Sequence, residues 1–245
     1  MASFPSSSSR RKASRRVRND GRKVAPGYGV SVVPSLDVFA RRSPLLLLEQ
    51  AQAVTEQLGY LPMNLISVGA AGRDGQPLVA VLYPLLANEL GGRYDSKGIY
   101  QHQQRHDAGE DGARGKPFPT MLWMTHPGLH AAVCKLEDAG WIGRLELRLH
   151  ASPEHLQRMR AAHEAYALAR CCLLSAMDQG YLDSVSWAEA VRAVGIAGIR
   201  DFAGVKCLHC HLAHHLARPQ DGNVVGEWVR DLLKMEGEVW HYDLT

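Results

Sequence analysis

Residues 63–83, MNLISVGAAGRDGQPLVAVLY, decide the class of fold. Met63 to Val68 and Pro77 to Tyr83 are short apolar runs of strand length, rich in β-branched and aliphatic residues. Between them stands Arg73-Asp74-Gly75-Gln76, and Asp-Gly is a strong hairpin signal because Gly adopts the positive φ that tight turns need. The stretch therefore predicts an antiparallel hairpin.

Working outward, Ser43-Pro44 opens a helix, with Ser as N-cap and Pro in the first turn, running to Leu58 before Gly59. Downstream of the hairpin, residues 87–116 are polar and Gly-rich, and they predict an insertion. Pro117 to Thr125 (PFPTMLWMT) predicts a third strand, at a sheet edge because of Pro119. His126-Pro127 opens a helix to Ala139, stopped by Gly140. Ser152 caps a long helix from Pro153 to Met177, and Ser186 a short one from Trp187 to Val194. The Cys/His segment near residue 210 and the stretch from Glu227 to Met235 supply the last two. The expectation is α+β: a small three-stranded antiparallel or mixed sheet with five to six helices, in one domain over residues 43–240.

Charge is unevenly placed. The chain has 28 basic and 25 acidic residues, but Met1 to Lys23 hold eight of the basic ones and one acid. The tail thus carries +7 and the remainder −4, so a nucleic-acid signal exists only in the tail. Residues 1–42 are expected to be a disordered basic tail and linker. The Ser/Arg-rich start has the composition of an organelle transit peptide, a chloroplast one above all; the plainer reading is a basic extension of a cytoplasmic protein. No apolar run is long enough to span a bilayer. Five cysteines without a secretory signal imply reduced thiols.

Chemistry concentrates in Lys206 to His215, KCLHCHLAHH, where six of ten residues bind metals or exchange protons near neutral pH. On a helical wheel Leu208, Leu212 and Leu216 share one stripe. Cys207, Cys210, His211 and His214 share an adjacent arc, with His209 nearly opposite Cys207 unless the helix starts after it. Zinc or another divalent metal suits this mixture of S and N ligands. Cys-x-x-Cys-His over Cys207 to His211 also matches the c-type haem signature, but no export route or axial partner accompanies it. A third reading makes Cys207 a nucleophile activated by histidine. The plain alternative is a packed helix whose thiols are small hydrophobes and whose histidines bond at its edge. Elsewhere, Arg160 and His163 on the long helix and Asn223 in Asp221-Gly222-Asn223 are candidates to bind a small anion, against the plain readings of a solvated helix face and a turn.

Several motifs occur in order: Lys116-Pro117-Phe118-Pro119-Thr120, Trp123, Thr125-x-Pro127, Leu136-Glu137-x-x-Gly140, Val205-Lys206-Cys207-Leu208-His209, Ala213-His214 and Asn223-x-x-Gly226. Over Ala53 to Leu233 the chain resembles the bacterial domain of unknown function 501 family. That family has no established activity, so the resemblance implies locations and not a reaction. Its pattern has Cys in place of His126 and apolar residues in place of Cys210 and His211. This implies a metal set of Cys207, His209, His214 and His126, with Cys210 and His211 weaker. The expectation is a protein that binds a metal or a small anion at a Cys/His site where His126 meets the Cys207 to His214 segment. Whether it is an enzyme stays open. The rival is a non-catalytic organellar interaction module whose Cys and His residues are structural.

Overall fold

The computed structural model describes residues 44–62, 64–86, 93–94, 100–101, 116–235 and 237. The tail, the Ser43 cap and most of the polar stretch before Lys116 lie outside these residues. The fold is α+β. Strand β1 (Leu65–Ala71) pairs antiparallel with β2 (Pro77–Leu82). The turn between them closes through Gly75 at φ 79°, with Gly75 N–H donating to Gly72 O and Gly72 N–H to Gln76 O. That is the conformation the Asp-Gly pair predicts. Every residue of β2 is buried, which suits a central strand.

The expected third strand splits in two. Lys116–Pro117 (β6) pairs with Leu85–Leu86 (β3), and only Leu122–Met124 (β7) joins β2, giving the order β1-β2-β7. Pro117 and Pro119 have no N–H to donate, so one ladder cannot run through both. The β3–β6 pair places Leu86 opposite Lys116, so the two ends of the intervening stretch meet. Within that stretch Arg93–Tyr94 (β4) pairs with Tyr100–Gln101 (β5), where the sequence predicts no strand.

Eight helices are described, two more than expected. Helix α1 (Pro44–Leu58) packs on the hairpin, and α2 (Pro127–Asp138) buries Leu129, Ala132, Val133 and Leu136. Gly140, at φ 78°, separates it from α3 (Trp141–His150), which was not foreseen. Helix α4 (Pro153–Leu173) starts at the Ser152 cap but ends four residues short of the expected Met177, because Leu174 turns extended and Ser175 caps a new helix, α5 (Ala176–Ser184). Helix α6 (Ala188–Arg192) has Trp187 at its N-cap, while Ser186 adopts φ 58° and does not cap it. Helix α7 (Leu208–Ala217) carries the Cys/His segment across β1, β2 and β7, and α8 (Val224–Met235) packs on α7. No described helix is long and apolar enough to cross a membrane.

Two buried polar side chains tie α4 to its surroundings. The Tyr166 hydroxyl accepts from Met121 N–H at 2.9 Å. Arg170, with no exposed surface, donates to the carbonyls of Pro119, Val191 and Val194. A buried guanidinium persists only when its donors are satisfied, and here backbone carbonyls from two separate segments satisfy them.

Candidate metal centre

Helix α7 begins at Cys207, whose backbone is extended (φ −103°, ψ 115°) and whose side chain makes no capping bond. The orphan N–H groups of the first turn need another acceptor, and α2 supplies it. Glu137 Oε1 accepts from Leu208 N–H at 2.7 Å and lies 3.1 Å from His209 Nδ1. Cys207 Sγ stands 3.8 Å from that same ring nitrogen. A carboxylate oxygen, a thiol sulfur and an imidazole nitrogen of Glu137, Cys207 and His209 thus converge within 4.8 Å of one another. The extended backbone at Cys207 turns its side chain off the helical wheel, which is why it meets His209 instead of standing opposite.

The electrostatics match. The Cys207 thiol is held down to about 3, first by a hydrogen bond from Cys210 and then by bonds with His209, against the cost of burial. Cys210, the donor of that bond, is pushed well up by the Cys207 sulfur and by burial. Burial opposes a charge on His209, but the Cys207 bond and the Glu137 carboxylate outweigh it and raise its pKa to about 9. The Cys207 sulfur and a Glu137 carboxyl oxygen therefore face the same His209 nitrogen, Nδ1.

The other edge of the same ring faces a second group. His209 Nε2 lies 3.6 Å from Cys134 Sγ, and Cys134 Sγ lies 3.5 Å from His130 Nδ1. The His130 and His209 rings are 4.3 Å apart at 39°. His209 Nε2 also lies 3.1 Å from the His130 carbonyl oxygen. His130 and Cys134 are one turn apart on α2, so they share a face; His130 is exposed and Cys134 half-buried.

The remaining histidines of α7 turn inward. His211 and His214 have no exposed surface, and neither does Asn223. Asp221 accepts from His214 Nε2 at 3.1 Å, Asn223 Nδ2 donates to His214 Nδ1 at 3.1 Å, and Asn223 Oδ1 receives His211 Nδ1 at 3.4 Å and Gly226 N–H at 3.0 Å. His163, also buried, accepts Ile196 N–H at Nδ1 and stands edge-on to His211. Burial pushes His163 down to about 3 and His211 to about 4. These are neutral imidazoles in a polar layer between α4, α7 and α8.

The expected ligand set is therefore divided. The structure brings Cys207 and His209 together, with Cys210 behind them. His214 and His211 belong to the buried layer, with His163 and Asn223, whereas Arg160 is exposed. His126 caps α2, its Nδ1 accepting from Leu129 N–H at 3.3 Å, and it belongs to neither group of converging ligand atoms among the described residues. The expected meeting of His126 with Cys207 gives way to Glu137, three turns along the same helix. Glu137, His130 and Cys134 lie outside the predicted ligand set. Glu137 stood in the Leu136-Glu137 motif, and the spacing of 130, 134 and 137 placed all three on one face of α2.

The family profile described as protein of unknown function (DUF501) matches residues 68–231, and the chain belongs to that family. No curated protein and no solved structure matches the chain.

Proposed function

We propose that this DUF501 protein binds a borderline divalent cation, with zinc the best fit, through Glu137, Cys207 and His209. The observation that carries this reading is that the thiol and the carboxylate face the same ring nitrogen, at 3.8 and 3.1 Å. A relay through Cys207 for nucleophilic catalysis would need its thiol on one His209 nitrogen and its acid on the other, whereas Cys207 and Glu137 both lie on Nδ1. Three atoms aimed at one point suit a cation, and in the ion-free chain the Nδ1 proton takes that position. Zinc–ligand lengths of about 2.0–2.3 Å put the N···S edge of a tetrahedron near ~3.5 Å and the N···O edge near ~3.3 Å. The observed separations need only a few tenths of an ångström to close.

Three protein ligands leave a fourth position for solvent or a small molecule, the arrangement of catalytic rather than structural zinc. The leading function is metal binding with an open coordination position, and the reaction, if one runs there, is assisted by the metal. Cys210 acts behind the site by donating to the Cys207 sulfur.

The test is metal analysis and cobalt substitution of the full chain. The chain should hold bound divalent metal, and its cobalt form should show thiolate charge-transfer absorption. Cys207→Ser and Glu137→Gln should each weaken binding at this position by tenfold or more. A chain that binds no divalent metal would support the rival, an interaction module in which the same residues only fasten α7 to α2.

A further inference from the structure

We propose a second metal position on the opposite nitrogen of His209, held by His130 and Cys134, so that this one imidazole bridges two divalent ions. The inference rests on the reading of Glu137, Cys207 and His209 as a metal site and extends it across the ring.

Two ligand groups converge on one residue from opposite sides. A His130 ring nitrogen, Cys134 Sγ and a His209 ring nitrogen lie within 4.8 Å of one another, as do the atoms of the first group. The two N···S separations here, 3.5 and 3.6 Å, match the ~3.5 Å edge of a tetrahedral zinc site directly. His130 and Cys134 at i and i+4 are spaced as paired ligands on metal-binding helices are. The exposure of His130 gives an ion a route in.

Charge supports loading both positions together. Two divalent ions bring four positive charges. Glu137 and Cys207 bring two negative ones, Cys134 as a thiolate a third, and the His209 ring as an imidazolate the fourth. On loading, the Cys134 thiol proton and the two His209 ring protons pass to solvent, as metal binding to such ligands requires. The His209 Nε2 contact with the His130 carbonyl is given up for the metal bond. No side chain needs to cross the site, because both groups already face the ring they would share.

The experiment uses the full chain, freed of metal by a chelator and titrated with cadmium-113. Two cadmium resonances are expected at saturation. Cys134→Ser should remove one, Cys207→Ser the other, and His130→Ala should weaken the same one that Cys134→Ser removes. Because His130 is exposed, this last variant tests the position even if Cys134→Ser misfolds. A single resonance that depends on Cys207 and is indifferent to Cys134 and His130 would overturn the second position and leave the first standing. No resonance at all would overturn both.

Discussion

Gly226 lies where α8 crosses α7, and Gly226→Ala tests how tightly that crossing sets the site. A Cβ built there would stand 2.4 Å from His211 O, 2.5 Å from His215 Cβ and 3.1 Å from His211 C. Carbon contacts settle near 3.5–4.0 Å. All three atoms belong to α7 and two are backbone, so no rotamer change relieves them. The helices must part by about 1 Å, and overpacking of this kind costs about 1–3 kcal/mol. Replacing Gly by Ala in a helix returns about 1 kcal/mol. Because a whole helix has to move, the cost falls at the upper end, leaving a net loss of about 2 kcal/mol. For a domain of this size that is a fall in Tm of about 4–8 °C. Urea unfolding followed by circular dichroism should show a lower midpoint at unchanged slope. The control is Gly180→Ala in α5, where nothing lies within 4 Å of the new methyl and the stability should rise. If Gly226→Ala proves as stable as Gly180→Ala, α7 and α8 do not cross this closely at Gly226. Metal affinity should fall with stability, since α7 carries Cys207 and His209 into the site.

In Cys134→Ser, which keeps only the position at Glu137, Cys207 and His209, binding an ion at pH 7 should release about one proton, because His209 stays protonated up to about 9. Calorimetry in buffers of different ionisation heat measures it, with affinity rising with pH until about 9; a release near zero would misplace that proton. His163 and His211 are neutral in the fold with pKa values of about 3 and about 4, against about 6.5 when unfolded. Folded values below unfolded ones mean stability is intact above pH ~6.5 and falls towards pH ~4, by about 1.4 kcal/mol per histidine at pH 5.5. The fall in urea midpoint between pH 7.5 and 5.5 should shrink in His163→Gln, and an unchanged fall would remove His163 from the cause. Arg170→Met strips the donors from the Pro119, Val191 and Val194 carbonyls and should cost about 3–5 kcal/mol, read as a lower urea midpoint; a loss under about 1 kcal/mol would contradict the buried network. Cys210→Ala should keep the ion within a few-fold, while Cys207→Ser loses it; equal losses in metal analysis would make Cys210 a ligand.

The hairpin and the long helices are legible because their signals are local: an Asp-Gly turn, a Ser152 cap, a Pro127 at the first helical position, periodic leucines. Helix α3 was not. In Trp141 to His150 the leucines at 145, 147 and 149 alternate with charges as in a strand, yet only Leu145 and Leu149 are buried and Leu147 is 76% exposed. The apolar content of the PFPT segment predicts one strand, although its two prolines forbid a continuous ladder. At the site, Cys207 and His209 could be named from ligand density alone. Their partners come from α2, some 70 residues earlier, and no periodicity reports that α2 lies beside the start of α7. The wheel sets Cys207 on one arc with His211 and His214 because it takes Cys207 as helical, whereas its backbone is extended. His126 did carry a usable signal. A residue directly before a helix-starting proline is the N-cap, and its imidazole is spent there.

The order in which the chain is made gives the position of α7 a further meaning. Leu208, Leu212 and Ala213 share one core with Val79, Val81, Leu122 and Met124 of the sheet. Leu208 follows Leu82 by 126 residues in the sequence. At about 5–20 residues per second, a ribosome needs on the order of 10 s to deliver the helix that covers those strands. Throughout that interval the nascent sheet carries an uncovered apolar face. This late-emerging helix thus both closes the core and brings Cys207 and His209 to Glu137, so a truncated product that stops before α7 lacks the site and leaves the apolar face of the sheet uncovered.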